Sequence, residues 1–241
     1  MLKVHSIETF GTHEGPGIRL VIFLQGCNFN CAYCHNPDTI GAGGKEIQVS
    51  EIINLLEDQK PYFGAEGGLT VSGGEPGLQA KELIELFKEA GQRGFNTALD
   101  TNASLNSEDY RVLLGLTDLA LIDLKHFDDT WHIKLTGQSN KNVLDSIAYR
   151  NSLAKPFWIR YVLVPGWTDQ PEYLEALGQY LQQFKYLERL EILPYHNLGA
   201  YKYKELKINY RLEGVVSPDA VEINNAKDIF GKYLKHIIVR H

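Results

Sequence analysis

The sequence lacks an excess of positive charge, long hydrophobic runs and internal repeats. It has 24 Lys and Arg residues against 30 Asp and Glu, for a formal net charge of −6, so the basic surface of a nucleic-acid-binding protein is not expected. The apolar run at residues 21–24 is far shorter than the ~20 residues that span a bilayer, and we expect no membrane association. No repeat or Pro/Ser-rich linker divides the 241 residues, which predicts one domain over residues 1–241.

Cysteine is also scarce, because only three residues of this type occur, and Cys27, Cys31 and Cys34 all lie within eight positions. An odd number of cysteines, and a start without the apolar core of a signal peptide, argue against a secreted disulfide framework. Both favour a reducing, cytoplasmic compartment. A four-iron cubane normally takes four Cys ligands. A cluster held by these three would therefore leave one iron open for chemistry, as a catalytic zinc keeps one position free.

A structural zinc site with His35 as its fourth ligand is the alternative that the local composition allows. The spacing Cys-x3-Cys-x2-Cys-His is more crowded than the usual zinc pattern, in which two pairs of ligands are separated by a dozen or more residues. The iron-sulfur interpretation is therefore preferred.

Strand-like runs alternate with segments of helical periodicity along most of the chain. This alternation predicts an α/β protein with a parallel sheet, which right-handed crossovers wind into a barrel or an open sheet. Ser217 and Pro218 are expected at the N-cap and first position of one helix, and Pro171 in the first turn of another. The predicted strands are residues 19–24, 69–72, 97–99, 119–122, 158–164 and 189–193.

Polar residues follow four of these strands, where the chain leaves the predicted sheet. The carboxyl ends of the strands carry the active site in β/α barrels, so we expect these residues to emerge on one face. Six strands fall short of eight, which predicts a partial (β/α)6 barrel that is laterally open and admits a large substrate. The polar stretches are Gly-Gly-Glu-Pro at 73–76, Asp-Thr-Asn at 100–102, Asp-Leu-Lys at 123–125 and Pro-Tyr-His at 194–196.

With these motifs the sequence resembles the radical S-adenosylmethionine (SAM) superfamily. An aromatic residue, Tyr33, precedes the last Cys of the motif, and Gly-Gly-Glu-Pro follows the second strand. The resemblance implies a barrel of the radical SAM type, with a cluster loop at 25–38, a core at about 18–195 and a C-terminal extension at about 196–241. The stretches at 11–19, 33–36, 100–102, 123–125, 158–162 and 193–196 resemble the activating enzymes of glycyl-radical enzymes, over about residues 7–214.

The pattern of this family is not matched everywhere. Other members of the branch carry additional cysteines in an inserted ferredoxin-like segment, whereas residues 36–72 contain none, so a single cluster is expected. Glu14 stands where the family usually has Asp, which is expected to alter a substrate contact. Ala103 stands where a Gly commonly follows Asp-Thr-Asn, which raises the question of how that turn is formed.

The resemblance implies a radical reaction at a [4Fe-4S] cluster. Cys27, Cys31 and Cys34 would hold three irons and SAM the fourth, with no catalytic residue beyond the cluster and SAM. Reductive cleavage of SAM would give a radical that takes hydrogen from a glycine of a protein substrate. That substrate would be a glycyl-radical enzyme of the pyruvate formate-lyase type, activated under anaerobic conditions. Flavodoxin or ferredoxin would supply the electron, and a monomer is expected because a protein substrate needs the open side of the barrel.

The resemblance also assigns residues to SAM binding. Gly73 and Gly74 would let the backbone approach the methionine part, Glu75 would supply charge for its ammonium or for nearby loops, and His196 would contact the adenosyl part. Arg160 is a lone charge inside the strand predicted at residues 158–164. It is expected at the barrel interior or the substrate mouth, and the alternative is a surface position on an edge strand. The SAM-binding candidates are Tyr33, Cys34, His35, Gly73, Gly74, Glu75, Asp100, Asp123, Leu124, Lys125, Arg160 and His196.

A monovalent cation is a further ligand that the resemblance implies. The side chains of Asp100, Thr101 and Asp123 and the carbonyl of Leu121 would hold it, since hard cations prefer oxygen ligands. A structural ion pair of Lys125 with one of the two aspartates, Asp100 or Asp123, is the alternative. The Tyr- and Lys-rich stretch at 201–210 is interpreted as a docking surface for the partner protein.

Three other functions stay open at this point. One is a radical SAM enzyme that acts on another glycyl-radical enzyme or on a small molecule. The others are a non-catalytic electron carrier and a structural metal protein whose site combines the three cysteines with one histidine.

Overall fold

A computed structural model describes residues 1–240, and His241, the end of the predicted extension, lies outside the described residues. The backbone groups into two compact units. The first comprises Met1–Asn28 and Thr39–Leu121, and the second comprises Phe29–Asp38 and the chain from Ile122 onward. The single domain over residues 1–241 stays a prediction.

The first unit contains five complete strands in the order β3-β1-β2-β4-β5. Strands β2, β4 and β5 run parallel, whereas β1 pairs antiparallel with both β2 and β3. Three helices, each with one apolar face buried, accompany these strands. The elements are β1 (Leu2–Gly11), β2 (Arg19–Leu24), β3 (Lys45–Ile47), α1 (Val49–Gln59), β4 (Gly68–Gly73), α2 (Ala80–Gln92), β5 (Asn96–Thr101) and α3 (Glu108–Leu116).

The second unit contains the parallel strands β7, β8 and β9 in that order. A further strand, β6 (Leu119–Asp123), runs across the boundary between the two units. The other elements are α4 (Asp129–Thr136), α5 (Lys141–Ser152), β7 (Phe157–Leu163), α6 (Pro171–Leu181), β8 (Leu187–Pro194), α7 (Ala200–Leu206), α8 (Ala220–Gly231) and β9 (Ile237–Val239).

The protein is therefore a mixed α/β protein with a largely parallel sheet that is not closed, which confirms the predicted fold class. All six predicted strands are present, and β1, β3 and β9 are additional. One helix boundary was wrong, because α8 begins at Ala220 rather than Pro218. Asp219 is its N-cap and forms a capping box with Glu222, which satisfies free backbone donors of the first turn.

The start of β2 is fixed by Arg19, which is fully buried. Its guanidinium donates to the Thr70 hydroxyl at 2.5 Å and to the carbonyls of Pro16, Glu66 and Leu69 at 2.7–3.1 Å. Burial lowers the pKa of Arg19 to about 10. The group still keeps its charge at neutral pH, and its planar set of donors suits several carbonyls at once.

No helix within residues 1–240 is both long enough and apolar enough to cross a membrane.

Candidate functional site

The carboxyl ends of β2 and β4 lie side by side, since Leu24 pairs with Gly73 in the strand register. The amide of Gly74 donates to the carbonyl of Leu24 at 2.9 Å, and the amide of Glu75 donates to the carbonyl of Gly26 at 2.8 Å. A Cβ atom on Gly74 would lie 2.0 Å from the Gly26 oxygen and 3.2 Å from the Cβ of Cys27. Glycine is therefore required here for the chain after β4 to pack against the start of the cysteine loop.

Glu75 is buried, and both of its carboxylate oxygens already have protein partners. One oxygen accepts from the Gly77 amide at 2.8 Å and the Thr101 hydroxyl at 2.7 Å, and the other accepts from the Asn102 amide at 2.7 Å. Burial raises the pKa of Glu75 to about 7, although the hydrogen bonds from these three donors act to lower it. Glu75 thus ties the end of β4 to the end of β5, and its predicted role toward the SAM ammonium stays a prediction.

The loop after β5 contains a residue that the list of candidates missed. The side-chain amide of Asn102 lies 3.0 Å from Oδ1 of Asn28 and 4.0 Å from Sγ of Cys27, so an N–H donor faces the first cysteine. Its position in the Asp-Thr-Asn stretch, which follows a predicted strand, could have identified Asn102 as a site residue. Asp100 accepts from the Ser72 hydroxyl at 2.7 Å. Ala103 forms the turn in a left-handed conformation with φ of 55°.

In the second unit, Cys31 and Cys34 lie on a tight turn, in which the Cys34 amide donates to the Cys31 carbonyl at 3.1 Å. The amides of Asn30 and Ala32 donate to the carbonyls of Thr136 and Leu135, each at 2.9 Å, so the loop occupies acceptors at the end of α4. Burial raises the pKa of the Cys34 thiol.

Tyr33 anchors this turn in the protein interior. Its ring belongs to a cluster of buried side chains, and Tyr195 lies in the same cluster. Burial raises the pKa of Tyr33 well above its ordinary value, so the phenol is neutral. The buried side chains of the cluster are Ala32, Tyr33, Leu135, Val164, Tyr195 and Leu212.

Lys125 and Asp123 form an ion pair at the end of β6, with 2.8 Å between Nζ and Oδ2. Burial alone would lower the pKa of Lys125, but the charge of Asp123 and the hydrogen bond to it raise that pKa well above its ordinary value. The ammonium also lies 5.7 Å from the centre of the Tyr33 ring. Leu124 lies between Asp123 and Lys125 in the sequence, and its amide donates to the carbonyl of Arg160 at 3.2 Å.

Arg160 lies on β7 beside a buried carboxylate of β8. Its Nε is 3.7 Å from Oε2 of Glu191, whose other oxygen is 2.8 Å from both Arg189 and Arg240. The Arg160 side chain is 14% exposed, which excludes the alternative of an arginine at an exposed edge. A single buried carboxylate thus faces three guanidinium groups.

His35 and His196 are brought together as stacked rings, with 4.2 Å between centroids and 29° between planes. The Nε2 atom of His35 lies 3.0 Å from the carbonyl oxygen of His196. Burial lowers the pKa of His35, which favours the neutral imidazole at neutral pH.

The proposed cation ligands lie in two groups. Asp100 and Thr101 are at the end of β5, where the Thr101 hydroxyl is committed to Glu75. Leu121 and Asp123 are in β6, where Asp123 is paired with Lys125. The cation remains a prediction.

The donor set of the cysteine loop suits an iron-sulfur cluster. The three cysteines are not joined in disulfides and are partly accessible, and thiolates are the ligands that hold such clusters. Within residues 1–240 no three His, Cys, Asp or Glu side chains converge on one point as a ready site for a single metal ion. A cubane does not require that convergence, because each thiolate binds a different iron.

The sequence matches known proteins over most of its length. The profile described as the radical SAM superfamily matches residues 21–177. A protein of Staphylococcus aureus (strain USA300) named pyruvate formate-lyase-activating enzyme is 45% identical over 230 residues, which cover 91% of this chain and 92% of that protein.

Solved structures show the same fold. A domain of a pyruvate-formate lyase-activating enzyme from Bacteroides vulgatus superposes with a TM-score of 0.61 at 24% identity, covering 73% of this chain and 99% of that one. Streptococcus suis SuiB bound to its precursor peptide SuiA has a TM-score of 0.74 at 17% identity, covering 98% of this chain and 50% of that one. At such identities the likeness concerns the fold alone.

Proposed function

Because this chain belongs to the radical SAM superfamily and, within it, to the family of pyruvate formate-lyase-activating enzymes, we propose that it activates pyruvate formate-lyase (formate C-acetyltransferase). It would do so under anaerobic conditions by generating a glycyl radical on that enzyme, as an oxidoreductase that uses SAM. The observation that carries the proposal is the 45% identity to a named activating enzyme over 91% of the chain. The three-cysteine loop and the contacts around it support the same chemistry.

Radical SAM enzymes use a [4Fe-4S] cluster and SAM, and Cys27, Cys31 and Cys34 are the residues that would hold the cluster here. When bound, the cluster would supply the electron for reductive cleavage of SAM, the chemistry that would lead to removal of a hydrogen from the substrate glycine. The protein's own part is to bind, orient and exclude water. Asn102 faces Cys27 with an N–H donor, and such donors tune the ligating sulfur.

Other residues of the site are proposed to bind SAM. Gly73 and Gly74, which carry no Cβ, would let the backbone approach the methionine part, while Glu75 fixes the loops on either side. Lys125 is a cation whose side chain is 13% exposed, and it would suit the SAM carboxylate. The stacked pair of His35 and His196 would offer an aromatic surface to the adenine, and Tyr33 would contribute a further contact to it.

Roles for the remaining candidates follow the same proposal. Arg160 would bind a carbonyl or carboxylate at the substrate mouth, and Asp100 and Asp123 would line the SAM or cation site together with Thr101 and Leu121. A glycyl-radical enzyme would be the protein substrate, flavodoxin or ferredoxin the electron donor, the chain a monomer, and the cytoplasm its compartment. The reducing cytoplasm suits three cysteines that form no disulfide.

The test is anaerobic reconstitution with iron and sulfide, followed by three measurements. Iron content is expected at about four per chain, SAM is expected to be cleaved when a reductant is added, and pyruvate formate-lyase is expected to acquire a glycine-centred signal in electron paramagnetic resonance. The matched control is Cys31→Ser, which keeps the loop's size and removes one iron ligand. It should lose both SAM cleavage and the glycine signal.

Each alternative function predicts a different result. SAM cleavage with no glycine signal on pyruvate formate-lyase would favour another glycyl-radical enzyme or a small-molecule substrate. Iron uptake without SAM cleavage would favour an electron carrier. Zinc bound by the cysteines, with no SAM turnover, would favour a structural metal protein.

A further inference from the structure

The cysteine loop of the second unit has little regular structure of its own. Between Phe29 and Asp38 the backbone forms one turn and the start of a short 3-10 helix at Pro37–Thr39. Such a segment opens easily unless other parts of the protein hold it, and a ligand loop must be held in place to bind its metal group.

Residues 196–211 hold this loop at several points. The Tyr203 hydroxyl donates to the Cys34 carbonyl at 3.0 Å. Lys202 donates to Asn36 at 2.9 Å and to Asp38 at 3.0 Å. Arg211 donates to the Asn30 carbonyl at 3.3 Å. We call residues 196–211 the loop brace.

The brace also approaches the loop backbone through Gly199, just before α7. A Cβ on Gly199 would lie 2.8 Å from the Cα of His35 and 3.0 Å from its carbonyl oxygen. Because those atoms belong to the backbone, any side chain at position 199 would displace the residue that follows Cys34. The close approach requires glycine there.

Among the residues of the brace, Tyr203 makes the most buried contact with the loop. It is only 5% exposed, and its ring packs on Tyr210 with 4.7 Å between centroids. The Tyr210 hydroxyl in turn lies 2.5 Å from the hydroxyl of Tyr195, in the same buried cluster as Tyr33. Lys202 and Asp38 are partly exposed, and exposed ion pairs contribute little.

We propose that Tyr203 is a positioning residue for the cluster ligand Cys34, which it holds through the hydrogen bond to the Cys34 carbonyl. The proposal goes beyond the sequence interpretation of residues 201–210 as a docking surface. Tyr203 is buried, and Tyr210 is partly buried against the cluster around Tyr195, whereas Tyr201, on the same helix as Tyr203, is 56% exposed. It rests on the proposed function only in naming Cys34 as a cluster ligand.

The test compares Tyr203→Phe, which removes one hydroxyl and keeps the ring, with Tyr201→Phe, the same change at the exposed position. In the cluster-free protein, the alkylation rate of each cysteine by iodoacetamide is followed by mass spectrometry. Loss of one hydrogen bond is expected to speed alkylation of Cys34 roughly five-fold, with Cys27 unchanged. In the reconstituted protein, Tyr203→Phe is expected to lose iron to a chelator about ten-fold faster and to alter the spectrum of the reduced cluster. Tyr201→Phe should change none of these.

Two results would overturn the proposal. In the first, the rates of Cys34 alkylation and of iron loss differ by less than two-fold between Tyr203→Phe and Tyr201→Phe, which would show that the hydroxyl does not position the ligand. Equal acceleration at all three cysteines would indicate general destabilisation instead. Gly199→Ala, which acts on the same loop without touching Tyr203, is the second variant, and it too should accelerate Cys34 selectively. Failure of the proposed function would appear separately, as absent SAM cleavage in the unsubstituted protein, and would leave the alkylation result intact.

Discussion

Ala103 is one of three non-glycine residues within residues 1–240 that have a left-handed backbone, together with Ala154 and Lys207. It is fully buried and has a φ of 55°, a left-handed conformation that costs a non-glycine residue about 1–2 kcal/mol. Ala103→Gly removes this cost and adds flexibility to the unfolded chain. We expect a net rise of about 0.5–1 kcal/mol in the free energy of unfolding, measured by urea denaturation of the cluster-free protein.

The control for Ala103 is Ala98→Gly in β5. Ala98 is equally buried and its φ is not positive, so the same change should lower the free energy of unfolding by about 1 kcal/mol. Destabilisation by both substitutions would contradict the interpretation that the turn after β5 is strained.

His126 makes stability depend on pH. Its ring is fully buried, and burial lowers its pKa from 6.5 to about 4. The unfolded chain therefore binds a proton between pH 6.5 and 4 that the folded protein does not bind, and stability falls as the pH falls through this window. The contribution is complete above pH 6.5, and its loss by pH 4 is expected to reach about 3 kcal/mol.

The measurement is urea denaturation from pH 7 to pH 4. His126→Asn keeps an acceptor for the Asp128 amide, which lies 3.0 Å from the ring, and removes the titrating group. This variant should lose less stability on acidification than the unsubstituted protein. His5→Asn, at an exposed position of β1, is the control and should not differ from it. Parallel curves for all three proteins would refute the prediction.

The sequence located the important side chains better than it defined their contacts. The ion pair of Lys125 with an aspartate was among the alternatives, whereas the hydrogen bonds of Glu75 to Thr101 and Asn102, 26 and 27 positions away, were not predicted. Spacing along the chain does not determine which carboxylate meets which donor in a folded protein. Tyr203 was missed as a loop contact because an aromatic residue in a polar stretch gives no sign of the face it buries.

At the level of elements, the buried parallel strands were predictable because they read as short continuous apolar runs. Strand β1 was missed because its burial pattern is irregular and its pairing with β2 contains two register shifts, which break the alternation expected of a strand. Strands β3 and β9 have three residues each, too few for a periodic signal.

The turn between β4 and α2 depends on a glycine that packs against another chain segment. Gly74→Ala would place a methyl group 2.0 Å from the Gly26 carbonyl oxygen, so the backbone must move. We expect a loss of about 1–3 kcal/mol in the free energy of unfolding and faster alkylation of Cys27, which adjoins the contact.

The control for Gly74 is Gly91→Ala in α2. No atom lies within 4 Å of a Cβ at that position, and alanine favours the helix, so stability should rise by about 0.5–1 kcal/mol. If the Gly74→Ala protein is as stable as the Gly91→Ala protein and its Cys27 reactivity is unchanged, then glycine is not required for the close approach after β4.

For the whole molecule, an open α/β sheet was predictable from the alternation of strands and helices, whereas the grouping of the backbone into two units was not. Apolar periodicity predicts which residues are buried. It does not predict which segments, distant from each other in sequence, make contact. The short segment Phe29–Asp38 belongs to the unit formed by the later part of the chain, and no local pattern marks this.

Cluster loading is expected to stabilise the whole protein. A group that binds the folded chain more tightly than the unfolded chain raises the free energy of unfolding, by about 3 kcal/mol when it is present at a hundred times its dissociation constant. Reconstituted protein should therefore unfold at a higher guanidinium concentration than protein stripped with a chelator, followed by circular dichroism under anaerobic conditions. Cys31→Ser lacks one of three proposed ligands, so its unfolding midpoint should respond little to the same treatment. Identical midpoints for loaded and stripped unsubstituted protein would mean that the iron is bound without preference for the folded chain, as expected of adventitious iron on exposed thiols.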